Sequence, residues 1–491
     1  MRKKIQQLEQ TAKQLELEPV KRKKWDDAVQ GYAHDFLNNL PQLKGFVKPG
    51  KNPAAAILGC PIDGLPKPIE ELLAVLKENL HTSGVNPASG GHLGYIPGGG
   101  IYPTALGDYL AAVTNEYAGI FFGGPAAVRI ENMLLRWMCQ LMGYPEGALG
   151  NLTSGGSIAN LIAFVTARDA KNIRPEKIRK SVIYLTAQVH HCVHKAIRIG
   201  GMEAATVRNV PMDAHFRMDA KALAKLVAKD QADGLNPFLV VASAGTTDTG
   251  AMDPLNDIAD ICEAENLWLH VDAAYGGFFI LADVDKPGGS TIKDSFKGIE
   301  RSDSLAIDPH KGLFLSYGLG AVLIKDVQAQ ATTHRYQANY MQDAISLTEE
   351  YSPAELSPEL TKHWRGLRMW LPLQLFGTAP FKAALEEKIL LTRYFYGEIQ
   401  KLGFEVGPFP DLSVCMYRYV PEEGDANKFN AQLLDHVQTD GRIFVSSTTI
   451  GGVFWMRVAI LCFRTHLREI DLLLEMFREG VREIEVNVAA C

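Results

Sequence analysis

"FLVVASAGTTDTGAMDPLNDIADICEAENLWLHVDAAYGG", residues 238–277, holds a strand, a helix and a second strand within one short span. The apolar runs "FLVVASA" and "LWLHVDAA" read as strands covered on both faces, and the amphipathic "PLNDIADICEAEN" between them reads as the crossover of a parallel pair. The same alternation continues outward. Helical "RIENMLLRWMCQLM" and "IANLIAFVTARDA", strand "SVIYLT" and helical "CVHKAIRIG" and "AKALAKLVAKD" come before it, and strands "SLAID" and "AVLIKD" come after. An α/β fold follows, with a mostly parallel central sheet flanked by helices. Three parts are expected: an N-terminal helical segment at 1–80, a large α/β domain at 81–375 and a smaller C-terminal α+β domain at 376–491. The glycine-dense "TSGVNPASGGHLGYIPGGGIYP" is either a linker or a pocket wall.

With 491 residues the chain is too long for one compact core. Its net charge of −6, from 50 basic and 56 acidic residues without a long single-sign block, argues against nucleic acid or an anionic membrane as the main partner. Small molecules are the default ligand. Seven cysteines in an odd count, with no CxxC pair, fit reduced thiols in a cytoplasmic protein. No apolar run approaches the roughly 18 residues of a membrane span.

Ligands of such sheets bind beyond the carboxyl ends of the strands, and the notable polar residues fall there. In "TSGGSIANLIAFVTAR", Gly155, Gly156 and Ser157 open a helix whose free N–H groups and dipole suit an anion, although an ordinary helix cap looks the same. Asp272 ends a strongly apolar strand, where a carboxylate either caps the next turn or keeps a heteroaromatic nitrogen protonated. Lys311, in "IDPHKGLF", is either a solvated lysine or a desolvated amine with a lowered pKa, able to condense with an aldehyde. His190, in "QVHHCVHK", could stack on a flat ring and move protons. With Cys192 and His194 it also suggests zinc, but no HExxH motif or second Cys/His pair completes a metal site, so none is expected. Together an anion cradle, a carboxylate, an imidazole and an amine are the parts needed to hold pyridoxal 5′-phosphate.

The blocks "TSGGSIANL", "AGTTDTGAMDP", "HVDAAYGG", "DPHKGLF" and "RGLRMW" make the chain resemble the group II pyridoxal-phosphate decarboxylases over about residues 65–475. These include aromatic-L-amino-acid, tryptophan/tyrosine and glutamate decarboxylases. The resemblance implies a fold type I PLP-dependent transferase-like architecture, and a homodimer in which the sites borrow residues from a neighbouring subunit. It implies that Lys311 forms the internal aldimine, that Asp272 pairs with the ring nitrogen and that His190 stacks on the ring. Gly156, Ser157 and His310 would serve the phosphate and Thr247 would lie near the ring substituents, while the small Ala274 lets the ring lie flat. Relatives often carry asparagine where this chain has Asp308. A carboxylate would repel the phosphate, so Asp308 is expected to point away or to bond a donor.

A 38-residue polar connection over 326–363 is long for an ordinary loop and reads as a lid. The resemblance places the proton-donating tyrosine there at Tyr340, with Tyr336 as the nearest competitor. It also implies substrate walls from Tyr95, Ile96 and Pro97 and from Phe121 and Phe122, a lining that suits an aromatic side chain. The expected reaction is decarboxylation of an L-amino acid, most readily an aromatic one, to its amine and carbon dioxide. Alternatives are an acidic substrate recognised by Arg457 or Arg365, an aldehyde synthase or aminotransferase on the same cofactor, and a cofactor-binding scaffold without turnover.

Overall fold

The computed structural model describes residues 1–62, 64–335 and 350–489. A two-residue ribbon pairs β1 (Phe46–Val47) with β2 (Gly84–Val85). The central sheet then takes β3 (Leu149–Thr153), β4 (Ser181–Leu185), β5 (Thr206–Asn209), β6 (Asn236–Ser243), β7 (Trp268–Asp272), β8 (Ser304–Ile307) and β9 (Gly320–Ile324). Their spatial order is β3-β9-β8-β7-β6-β4-β5. All neighbours pair in parallel except the two pairs made by β9, which is antiparallel to both β8 and β3. Two reversals restore the direction, so β3 runs the same way as β4, β6, β7 and β8. The chain therefore leaves all five strands at one rim.

The strands "SVIYL", "SLAI" and "GAVLI" are buried along their whole length, as expected when helices cover both faces. One face packs in the main core with Leu135, Met138, Val240, Leu269, Leu305 and Leu323, and the other with Phe164, Ile183, Val193 and Val241.

A second, antiparallel sheet of order β10-β11-β13-β12 consists of β10 (Phe404–Val406), β11 (Val414–Tyr419), β12 (Ser446–Ile450) and β13 (Val453–Ala459). Helices Ala379–Lys401, Ala426–Asp440 and Leu467–Ala489 supply Phe395, Leu433 and Phe477 to its separate core. Helices Arg2–Ala12 and Pro19–Asn39 bury none of their residues. Among the described residues, no helix is long and apolar enough to cross a membrane.

The glycine-dense stretch is closely packed and is not a linker. A Cβ on Gly98 would stand 2.1 Å from the His310 carbonyl oxygen, and one on Gly94 would stand 2.4 Å from the Phe444 ring. Backbone therefore packs directly against the segment that carries Lys311.

The polar connection after Asp326 is not one open loop. It begins with helix Val327–His334, whose first N–H groups donate to the Asp326 carboxylate, and Arg335 pairs with Glu355 at 2.9 Å. Tyr336 and Tyr340 lie outside the described residues.

Candidate active site

Loops leaving the sheet's rim enclose a cavity of about 260 Å³. After β3, Ser154 and Gly155 lead into helix Gly156–Ala170. Gly155 has φ +150°, which favours glycine, and a Cβ on Gly320 would stand 2.6 Å from the Gly155 Cα. The N–H groups of Gly156 and Ser157 open this helix without intrahelical acceptors, and the positive end of its dipole faces the cavity. Gln188, His190 and Cys192 enter after β4, Thr246 and Thr247 after β6, Asp272 and Ala274 after β7, and Asp308, His310 and Lys311 after β8.

Asp272 is held by a buried relay. Its Oδ1 accepts from the Ala274 N–H at 3.1 Å, and its Oδ2 lies 3.4 Å from Asn160 Nδ2. Asn160 Oδ1 in turn accepts from His270 Nε2 at 2.8 Å, and His270 Nδ1 is 2.8 Å from Ser304 Oγ, which also accepts from Trp268 Nε1–H. Burial pushes His270 down to about 3, so the ring is neutral. With Nε2 protonated for Asn160, its Nδ1 must accept, so the Ser304 hydroxyl donates to it. Every link from Trp268 to Asp272 then has one donor and one acceptor. Burial raises the Asp272 pKa against the lowering effects of the Ala274 N–H, Lys311 and Asn160. A carboxylate desolvated in this way gains from a cationic ring N–H.

Lys311 Nζ is 2.9 Å from Asp308 Oδ2. Asp308 therefore bonds a donor, as expected. The expected lowering of the Lys311 pKa, however, is reversed. Burial does pull it down, but the charge and hydrogen bond of Asp308, with Asp272 and Cys192, outweigh burial and raise it.

His190 is pushed down to about 4, first by burial and then by the positive charge of neighbouring His191 and Lys311. Its Nδ1 accepts from the Cys192 N–H at 3.3 Å, which leaves the proton on Nε2. His310 donates Nδ1–H to the Leu319 carbonyl at 2.5 Å. The Cys192 thiol is pushed up to about 12 by burial and stays protonated.

Lys311, Asp272, His190, His310, Gly156, Ser157, Thr247 and Ala274 all line the same cavity. Tyr95, Ile96, Pro97, Phe121 and Phe122 do not. Ile96 is packed in the main core, and Tyr95 and Phe122 are exposed. Phe121 is buried, with its N–H on Ser352 Oγ at 3.0 Å. Tyr95 is nevertheless adjacent to the cavity, because Arg457 donates to both the Tyr95 and Thr247 carbonyls. Asn160, His270 and Ser304 were missed in the sequence. Residue 270 shares a strand face with 272, and residue 160 stands one turn after Gly156, so periodicity alone places His270 and Asn160 near the site.

The fit to pyridoxal phosphate rests on these observations: a glycine-built helix start for the phosphate, a half-buried carboxylate for the ring nitrogen and an amine for the aldehyde. Within the cavity the buried Gln188 Oε1 and Asp308 Oδ1 have no hydrogen-bond partner among the described residues.

A pyridoxal-dependent decarboxylase conserved domain matches residues 63–418. The chain belongs to the pyridoxal-dependent decarboxylase family. It is 32% identical to an aromatic-L-amino-acid decarboxylase of Bacillus atrophaeus over 85% of this chain and 86% of that protein. It is 30% identical to an L-2,4-diaminobutyrate decarboxylase of Acinetobacter baumannii over 72% and 73% of the two chains. The crystal structure of Oryza sativa TDC with PLP and tryptamine superposes with a TM-score of 0.88 at 21% identity, covering 96% of this chain and 99% of that one. The mostly parallel sheet and the smaller C-terminal unit are those of fold type I. This pyridoxal-dependent decarboxylase is thus an enzyme that uses pyridoxal phosphate to remove the carboxylate of an amino acid.

Proposed function

We propose that the enzyme decarboxylates an aromatic L-amino acid to the corresponding amine. The observation that carries this reading is how its two candidate arginines are engaged. Arg365 is bidentate on Glu359 at 2.9 Å for both bonds. Arg457 is buried and donates to the carbonyls of Tyr95, Thr247 and Asp248 and to Ser446 Oγ. Among the described residues, neither is left to bind a second substrate carboxylate. The similarity to the Bacillus atrophaeus enzyme supports the same reading.

Bound pyridoxal phosphate supplies a ring that withdraws the electron pair left at Cα when carbon dioxide departs. The chain's own residues do the rest. Gly156, Ser157 and His310 would hold the phosphate, and Lys311 would hold the aldehyde carbon. Asp272, steadied by Asn160, keeps the ring nitrogen protonated. His190, neutral at physiological pH, would supply a flat imidazole against the ring. Tyr340 hands a proton to Cα, and Thr247 and Ala274 border the ring.

Assayed against aromatic, acidic and basic amino acids, the enzyme is expected to release carbon dioxide fastest with an aromatic one. A preference for glutamate, aspartate or cysteine sulfinate would overturn the substrate assignment. With Tyr340→Phe, part of the product is expected to shift from amine to aldehyde and ammonia, since the unprotonated Cα is left open to oxygen; unchanged amine yield would remove Tyr340 from its role.

The enzyme acts as a homodimer in this reading, with the 1–80 segment in the contact. Ile5, Leu8, Leu15 and Val20 are exposed on helices that bury nothing within the subunit, which supports a partner surface there. A cytoplasmic location is supported by the six described cysteines, all free.

A further inference from the structure

Asp308 follows β8, and it is buried almost completely while Lys311, one turn on, opens to the cavity. One oxygen meets Lys311 Nζ at 2.9 Å, and the other has no hydrogen-bond partner among the described residues. Two glycines leave room for this carboxylate: a Cβ on Gly320 would stand 2.5 Å from Oδ1, and one on Gly156 would stand 3.1 Å from Oδ2. A charge this deep persists only with a close counter-charge. The other titratable groups facing the pair do not supply one. His310 Nε2 is 3.8 Å away on a ring whose pKa burial lowers, His190 is neutral, Cys192 is a thiol and Asp272 is itself a carboxylate.

We propose that Asp308 is the counter-ion that holds Lys311 as an ammonium in the cofactor-free protein, so that loading of the aldehyde waits on loss of that proton. This rests on the reading of Lys311 as the cofactor lysine. For the new C–N bond to form, Nζ must first give up one proton and expose its lone pair. Its two remaining hydrogens then leave with the aldehyde oxygen as water, and the C=O bond is replaced by C=N. An amine kept charged is also shielded from stray aldehydes.

The test uses the cofactor-free full-length enzyme and an acylating reagent that attacks only neutral amines, applied across a pH series. The peptide containing residue 311 is quantified by mass spectrometry against exposed lysines of the same digest. In the wild-type protein the Lys311 midpoint is expected above those of the exposed lysines. In Asp308→Asn it is expected to fall by about 1–3 pH units, the usual effect of one opposite charge within hydrogen-bond range. Capture of added pyridoxal phosphate at neutral pH, trapped with borohydride, should quicken by about tenfold per unit of that fall. A wild-type midpoint at or below that of the exposed lysines overturns the proposal whether or not the variant folds, and so does an unchanged midpoint in a folded variant. Acylation needs no cofactor. Wild-type protein that never captures pyridoxal phosphate at Lys311 would therefore sink the cofactor reading separately.

Discussion

Lys311→Ala protein is expected to lose both the visible absorbance of covalently held cofactor and all measurable carbon dioxide release. Lys311 is the one lysine lining the cavity among the described residues, its Nζ stands 2.9 Å from Asp308 Oδ2, and Asp272 lines the same cavity. Alanine removes the only amine that lines the cavity among the described residues. Because the change also leaves the buried Asp308 without its counter-charge, folding of the variant is checked by circular dichroism beside the assay. The variant is expected to bind pyridoxal phosphate without the covalent bond, through the phosphate and ring contacts that remain, more weakly and without the spectral change. Retained turnover would end the account of this site.

The second large effect is expected from Asp272→Asn. An amide cannot keep the ring nitrogen protonated, so the ring loses the positive charge that draws electrons from Cα. Removing one such pre-placed electrostatic partner costs on the order of 10²–10³ in kcat. Lys311 is intact in this variant, so the cofactor absorbance should remain while decarboxylation falls. That combination separates a catalytic loss from a binding loss. Asn160→Ala is expected to act in the same direction and more weakly, because it leaves the Asp272 charge in place but removes a neighbour at 3.4 Å. An Asp272→Asn enzyme with wild-type kcat would show that the carboxylate only caps the Ala274 turn.

Much of this was legible in the chain. Fully apolar runs such as "SVIYL" have to be buried on both faces, and polar residues at their carboxyl ends have to meet at the rim. The missed strands have physical reasons. β3 reads "LGNLT", with a glycine and a polar residue in the middle, yet Gly150 is required because a Cβ there would stand 1.8 Å from the Val322 carbonyl oxygen. β5, "TVRN", is a short edge strand with only partial burial, so its pattern carries little signal. The side chains at the expected substrate wall take directions that the sequence does not give. Ile96 packs in the core and Phe121 against the 352 region, since which way a loop residue turns depends on its neighbours.

What the order of residues determined alone was the repeated strand and helix period, the glycine start at 155–156 and the presence of a lysine, an imidazole and a carboxylate at strand ends. These follow from local chemistry and periodicity. Tertiary structure decided the direction in which the Lys311 pKa moves. Burial by itself would favour the neutral amine, but a carboxylate three residues away is turned onto it at 2.9 Å inside a space that two glycines leave open, and that geometry reverses the sign. It also decided the relay from Trp268 to Asp272, whose members come from two neighbouring strands and one helix. Coulombic and hydrogen-bond energies depend on distances between such groups, and only the folded chain sets those distances.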